Sequence, residues 1–112
     1  MHELSLAAEI IDLIAPKVPR REKLTRVYVT VGPLSGVWPD ALQLGFDEIA
    51  RQNGFVNARM VIERPEARFK CTDCGEQYSS DSAESVCPHC GSPERSVLAG
   101  EQFTVDSIEV EE

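Results

Sequence analysis

Long apolar runs are missing from this chain. No stretch of its 112 residues approaches the roughly 20 apolar residues that cross a bilayer as a helix, which excludes that class of membrane protein. A basic leader is missing too, and Glu3, Glu9 and Asp12 interrupt any apolar core near the start, so no export signal is expected and the cytoplasm is the expected compartment. Positive charge is scarce: 11 Lys and Arg stand against 19 Asp and Glu, for a net charge of -8. An acidic chain repels phosphate backbones, so nucleic acid is excluded as a general partner, and metal cations or basic protein surfaces fit better. Imidazoles are limited to His2 and His89, and every cysteine belongs to a C-x2-C pair. Little is left for nucleophilic or acid–base chemistry, and an enzyme is not expected.

What is present is ordinary globular material, 42% hydrophobic and 27% charged. A chain this short builds one modest core, and any second unit needs a metal or disulfides to hold it. Leu4, Ala7, Ala8, Ile11 and Ile14 recur at helical spacing, with Ile10 and Leu13 widening the stripe. This predicts an amphipathic helix that stops near Ala15, before Pro16. PKVPRREK reads as a solvated connection. LTRVYVTV alternates as a strand, with Val27, Val29 and Val31 on one face and Tyr28 and Thr30 on the other. GPLSG is a turn. Pro39 and Asp40 open a second helix, whose stripe is Leu42, Phe46, Ile49 and Ala50 and whose stop is Gly54. FVNARMVIE alternates again, with Val56, Ala58, Met60 and Ile62 sharing a face. SVLAGEQFTVDSIEVEE is strand-like, with a break at Gly100 and an uneven phase near Ser107 that predicts a bulge. The expected architecture is α+β: a three-stranded sheet packed against two helices, with an inserted zinc-ribbon-like four-cysteine unit. Residues 1–68 and 93–112 form the α/β domain, and residues 69–92 form the insert.

Cys71, Cys74, Cys87 and Cys90 make two C-x2-C pairs, each followed by a glycine, Gly75 or Gly91. A two-residue gap lets both sulfurs of a pair face one cation, and the glycine lets the backbone turn so that amides point at the thiolates. The linker EQYSSDSAESV has no core-forming pattern, so nothing but a metal is expected to order it. Four thiolates fill a tetrahedral zinc and leave no open position, which makes the site structural. Two disulfides are disfavoured by the compartment. A rubredoxin-like iron centre is the other option, although aromatic shielding is sparse; it predicts an electron-transfer protein with visible colour. His89 is expected to be an exposed spacer.

The first residues, MHE, pose a separate question. The Met1 amine and the His2 amide close a five-membered chelate ring, and that amide with Nδ1 of the same imidazole closes a six-membered one. Nitrogen-rich planar sets of this kind suit Ni(II) or Cu(II), with a Glu3 donor available. By itself the motif is weak evidence, because a histidine at position 2 is usually just a solvated terminal residue. The large His2 is expected to leave Met1 untrimmed.

MHELSLA, VTVGPLSG, the CTDCG…CPHCG pair and the acidic IEVEE end together resemble the HypA/HybF family of nickel-insertion accessory proteins of [NiFe]-hydrogenase maturation, over essentially the whole chain. That resemblance implies a nickel metallochaperone that works with a HypB-type nickel GTPase to load the hydrogenase large subunit. Urease maturation proteins are further partners for some members. It also implies a nickel site at Met1, His2 and Glu3, with Ni(II) as transient cargo, and a structural Zn(II) at Cys71, Cys74, Cys87 and Cys90. Many members carry cysteine near the seventh position, where this chain has Ala7. After GPLSG, Asp40 is the one candidate for a further donor. The competing reading is a zinc-ribbon protein-interaction module without a second metal site.

Overall fold

The computed structural model describes residues 2–112. Helix α1 spans His2–Ile14 and buries Ala7, Ile10, Ile11 and Ile14. Its apolar stripe is narrower than the sequence pattern suggests, because Leu4 and Leu13 are exposed. The helix ends as expected before Pro16, which lacks an N–H to continue the ladder, and the chain tightens into a 3₁₀ turn over Ala15–Lys17.

Strand β1, Leu24–Val31, buries Val27, Val29 and Val31 and leaves Tyr28 and Thr30 half-buried, as its alternation predicts. Helix α2, Pro39–Gln52, starts on its proline and buries Leu42, Gly45, Phe46 and Ala50. It closes in a Schellman motif. Gly54, at φ 85°, donates to the Arg51 carbonyl at 3.2 Å, and the Phe55 N–H donates to the Ala50 carbonyl at 2.9 Å. That closure corrects the expected strand FVNARMVIE. Phe55 is pulled into the core as the apolar partner of the helix end, Val56 points to solvent, and strand β2 starts only at Arg59 and runs to Glu63.

Strand β6, Phe103–Val110, pairs antiparallel with β1, and β2 pairs parallel with it, giving the order β2-β1-β6. The register of β6 slips between Ser107 and Val105, where the uneven phase predicts a bulge. Both helices share one apolar core with the valine face of β1. The opposite face is polar: Thr30 Oγ1 donates to Asp106 at 2.6 Å, and the Tyr28 hydroxyl donates to Glu109 at 2.9 Å.

A second three-stranded sheet holds the cysteines. It consists of β3 (Ala67–Cys71), β4 (Gln77–Ser80) and β5 (Arg95–Ala99), antiparallel, in the order β4-β3-β5. Two expectations change here. The segment after the cysteines is not one strand with a break: Gly100 is the point where the chain leaves the second sheet for the first. Its carbonyl accepts the Leu34 N–H at 2.8 Å, and a Cβ on it would lie 2.6 Å from Cβ of Ala67, at a φ of 130°. The second sheet therefore reaches beyond the 69–92 window on both sides. The linker between the cysteine pairs is also not patternless, since Tyr78 of β4 is buried against Phe69 with ring centroids 5.3 Å apart.

Candidate metal centre

Each cysteine pair sits on the same local turn. The Gly75 N–H donates to the Cys71 carbonyl at 2.9 Å, and the Gly91 N–H donates to the Cys87 carbonyl at 2.7 Å. Both glycines take positive φ, 81° and 77°, which a side chain would resist. The turns then close backward, Cys71 N–H to the Glu76 carbonyl at 2.8 Å and Cys87 N–H to the Ser92 carbonyl at 3.0 Å. Strand β3 delivers Cys71 to the turn, and its alternation buries Cys71 on the same face as Ala67 and Phe69.

The two turns face each other. Sγ of Cys71 lies 3.6 Å from Sγ of Cys90, and Sγ of Cys74 lies 3.7 Å from Sγ of Cys87. All four sulfurs fall within 4.8 Å of one another. A regular tetrahedron with Zn–S bonds of about 2.3 Å has edges of about 3.8 Å, so the sulfurs stand where a zinc ion needs them. They are too far apart for disulfides, and all four cysteines are free. This is the one metal-capable cluster of His, Cys, Asp and Glu among the described residues, and His89 is not in it.

The protonation energetics point the same way. Cys71 is held down to about 7, first by the backbone N–H of Cys74 and then by that of Asp73. Cys74 is pushed up to about 12: the Glu76 N–H favours its thiolate, but burial and the three neighbouring thiols outweigh it. Cys90 is raised as well, the Ser92 N–H being overcome by Cys71 and by burial. Neighbouring thiols and desolvation thus work against the thiolate form of Cys74 and Cys90, and a cation among the sulfurs relieves that cost. Phe69 and Tyr78 back the buried cysteines, and the Arg95 guanidinium covers the Phe69 ring at 4.1 Å. That is more aromatic cover than the sequence suggests. ARFKC alternates plainly enough to have revealed Phe69; Tyr78 sits among serines and gives no such signal.

Of the residues expected to hold nickel, Met1 and the side chain of His2 lie outside the described residues. Glu3 lies in the first turn of α1, and its Oε2 accepts the Trp38 backbone N–H at 3.3 Å. The start of α1 is thereby tied to the start of α2, where Asp40 lies in the first turn.

Comparison with known proteins gives a consistent result. Residues 1–110 match the family model described as "Hydrogenase/urease nickel incorporation, metallochaperone, hypA". A hydrogenase maturation factor HypA of Chlorobium luteolum is 35% identical over 115 residues, covering 100% of this chain and 97% of that one. The corresponding factor of Geobacter metallireducens is 35% identical over 111 residues, covering 99% and 100%. The solution structure of the Ni metallochaperone HypA from Helicobacter pylori superposes with a TM-score of 0.58 at 22% identity, over 97% of each chain. Another HypA solution structure gives a TM-score of 0.63 at 23% identity, over 98% of this chain and 96% of that one. At these identities the two structures speak for the fold.

Proposed function

This chain belongs to the HypA family of hydrogenase and urease nickel-incorporation metallochaperones, and we propose that it carries Ni(II) at its N-terminal end and passes it, with a HypB-type GTPase, to the [NiFe]-hydrogenase large subunit in the cytoplasm. The ligands in this reading are the Met1 amine, the His2 amide and imidazole, and a Glu3 donor. The observation that carries it is the Glu3–Trp38 contact. It brings the first turns of two helices together, and each of those turns carries one carboxylate, Glu3 in α1 and Asp40 in α2. Two helix N-termini repel a cation, and these carboxylates with an ionised His2 amide offset that repulsion. A balance of this kind favours a metal that is held and then released. The four-thiolate centre has the opposite character, closed and architectural, and Zn(II) there orders the second sheet.

The test is an N-terminal extension. A residue placed before Met1 moves the amine while leaving every side chain in place. It is expected to abolish Ni(II) uptake, as is His2→Ala, with zinc content and fold unchanged by elemental analysis and circular dichroism. Because the amine and imidazole must release protons to bind, uptake is expected to strengthen as pH rises through the neutral range. An extended protein that took up nickel with native stoichiometry and spectrum would remove the amine from the ligand set.

A further inference from the structure

The chain has a single tryptophan, and it is not in the core: Trp38 is 73% exposed. Single exposed apolar side chains are ordinary, and what sets this one apart is that it lines a concave site. Trp38 lies on a cleft of about 490 Å³ at the junction of the two sheets. Val37, Pro39 and Pro65 give the cleft an apolar floor. Asp40 comes from α2, Arg64 from the exit of β2 and Asp81 from the turn after β4, so both halves of the molecule build it. Two carboxylates and one guanidinium leave it net acidic, and neither Asp40 nor Asp81 has an ion-pair partner among the described residues. The cleft adjoins the start of α1, because the Trp38 N–H is the donor to Glu3.

We propose that this cleft is the docking groove for a short segment of the nickel-receiving protein in which a lysine or arginine stands beside an apolar side chain. The proposal rests on the delivery reading above. The apolar side chain lies on the proline and valine floor. The cation stacks on the exposed indole and meets Asp81, an arrangement in which ring and carboxylate reinforce each other. Tryptophan is enriched among the few residues that carry most of the energy of an interface. Since Asp81 sits on the turn that leaves β4 of the second sheet, docking requires that sheet to be ordered, and an acceptor engaging here distinguishes the zinc-loaded chain from the zinc-free one.

The experiment titrates purified hydrogenase large-subunit precursor into the zinc-loaded full chain, and in parallel titrates the HypB-type GTPase. The variants are Trp38→Ala, Asp81→Lys and, as an exposed apolar control away from the cleft, Leu44→Ala, which is 72% exposed. Asp40 is left intact because it stands beside the proposed nickel end. Trp38→Ala keeps the backbone N–H that Glu3 uses. It is expected to weaken precursor binding about 30-fold, and Asp81→Lys about tenfold. Leu44→Ala and the GTPase titrations stay at wild-type values, and the emission of Trp38 shifts to the blue when precursor binds. Should Trp38→Ala fold poorly, the indole emission of the wild-type chain and the Asp81→Lys titration decide. Precursor binding within about twofold of wild type for Trp38→Ala, no precursor binding at all, or a loss confined to the GTPase overturns the groove. An unaffected Asp81→Lys overturns its basic occupant. Nickel stoichiometry is read separately: Trp38-dependent docking in a chain that takes up no nickel upholds the groove and removes the nickel reading.

Discussion

The molecule contains two three-stranded sheets that are held together in different ways. In the first, two helices cover the valine face of β1, and large side chains such as Phe46, Phe55 and Leu42 are fully buried. In the second there is no helix. Its buried set is Ala67, Phe69, Tyr78, Cys71 and Cys87, so two of the five residues are thiols. Leu34, from the loop after β1, has to reach across to help close it. A core that small cannot offset the chain entropy of some thirty residues. Strand number therefore says little about cohesion: the first sheet is stabilised by apolar burial, and the second by what its cysteines bind.

The most direct way to break this comparison is to remove the metal from the second sheet. Structural zinc supplies about 10–16 kcal/mol of binding energy in small four-ligand units, and that energy is folding energy. Cys71→Ser is expected to lose zinc by elemental analysis and to lose amide-exchange protection across residues 71–90. Protection in α1, α2, β1 and β2 should persist. If the variant stayed protected over 71–90, Phe69 and Tyr78 would be sufficient to hold the sheet and the contrast would disappear.

The converse substitution sharpens it. Phe46 has no exposure and sits where α2 meets the sheet. Phe46→Ala is expected to cost about 3–5 kcal/mol, through lost burial and the cavity left behind. The urea midpoint of the α/β part should fall while zinc stoichiometry stays the same. Zinc loss in this variant would mean that the two sheets unfold as one cooperative unit.

Legibility followed the same division. Where cohesion comes from apolar periodicity, the sequence was informative: β1 is bounded as its alternation predicts, and α2 runs from Pro39 to its glycine stop. It misled at Phe55, because alternation cannot reveal that a helix end will claim a neighbouring aromatic side chain. The four cysteines were legible as one metal-capable cluster because metal geometry fixes such spacing. The strands around them were not. Alternation reports which face is buried and is silent on which sheet a strand joins, so the break at Gly100 was visible while its meaning, a change of sheet, was hidden. The Trp38 cleft is assembled from three separate segments spread between Val31 and Asp81, and no local pattern announces such a site.

The smallest expected effect concerns the outer face of α1, which neither sheet uses. Glu9 and Asp12 are exposed there, on a chain of net charge -8. If the GTPase meets this face through a basic surface, these carboxylates act as rim charges, and rim charges change association rate more than the lifetime of the complex. Glu9→Lys is then expected to weaken GTPase binding no more than about fivefold at low salt, the range of an exposed ion pair. The effect should fade at higher salt, where the screening length shrinks from about 30 Å at 0.01 M to about 8 Å at 0.15 M. Nickel and zinc contents should not change, because Glu9 lies outside both proposed metal sites. The measurement is the association rate of the two proteins at several ionic strengths. A rate for Glu9→Lys that tracked the wild-type rate at every ionic strength would move the GTPase off this helix, and the Trp38 cleft would then have to be tested as its site as well.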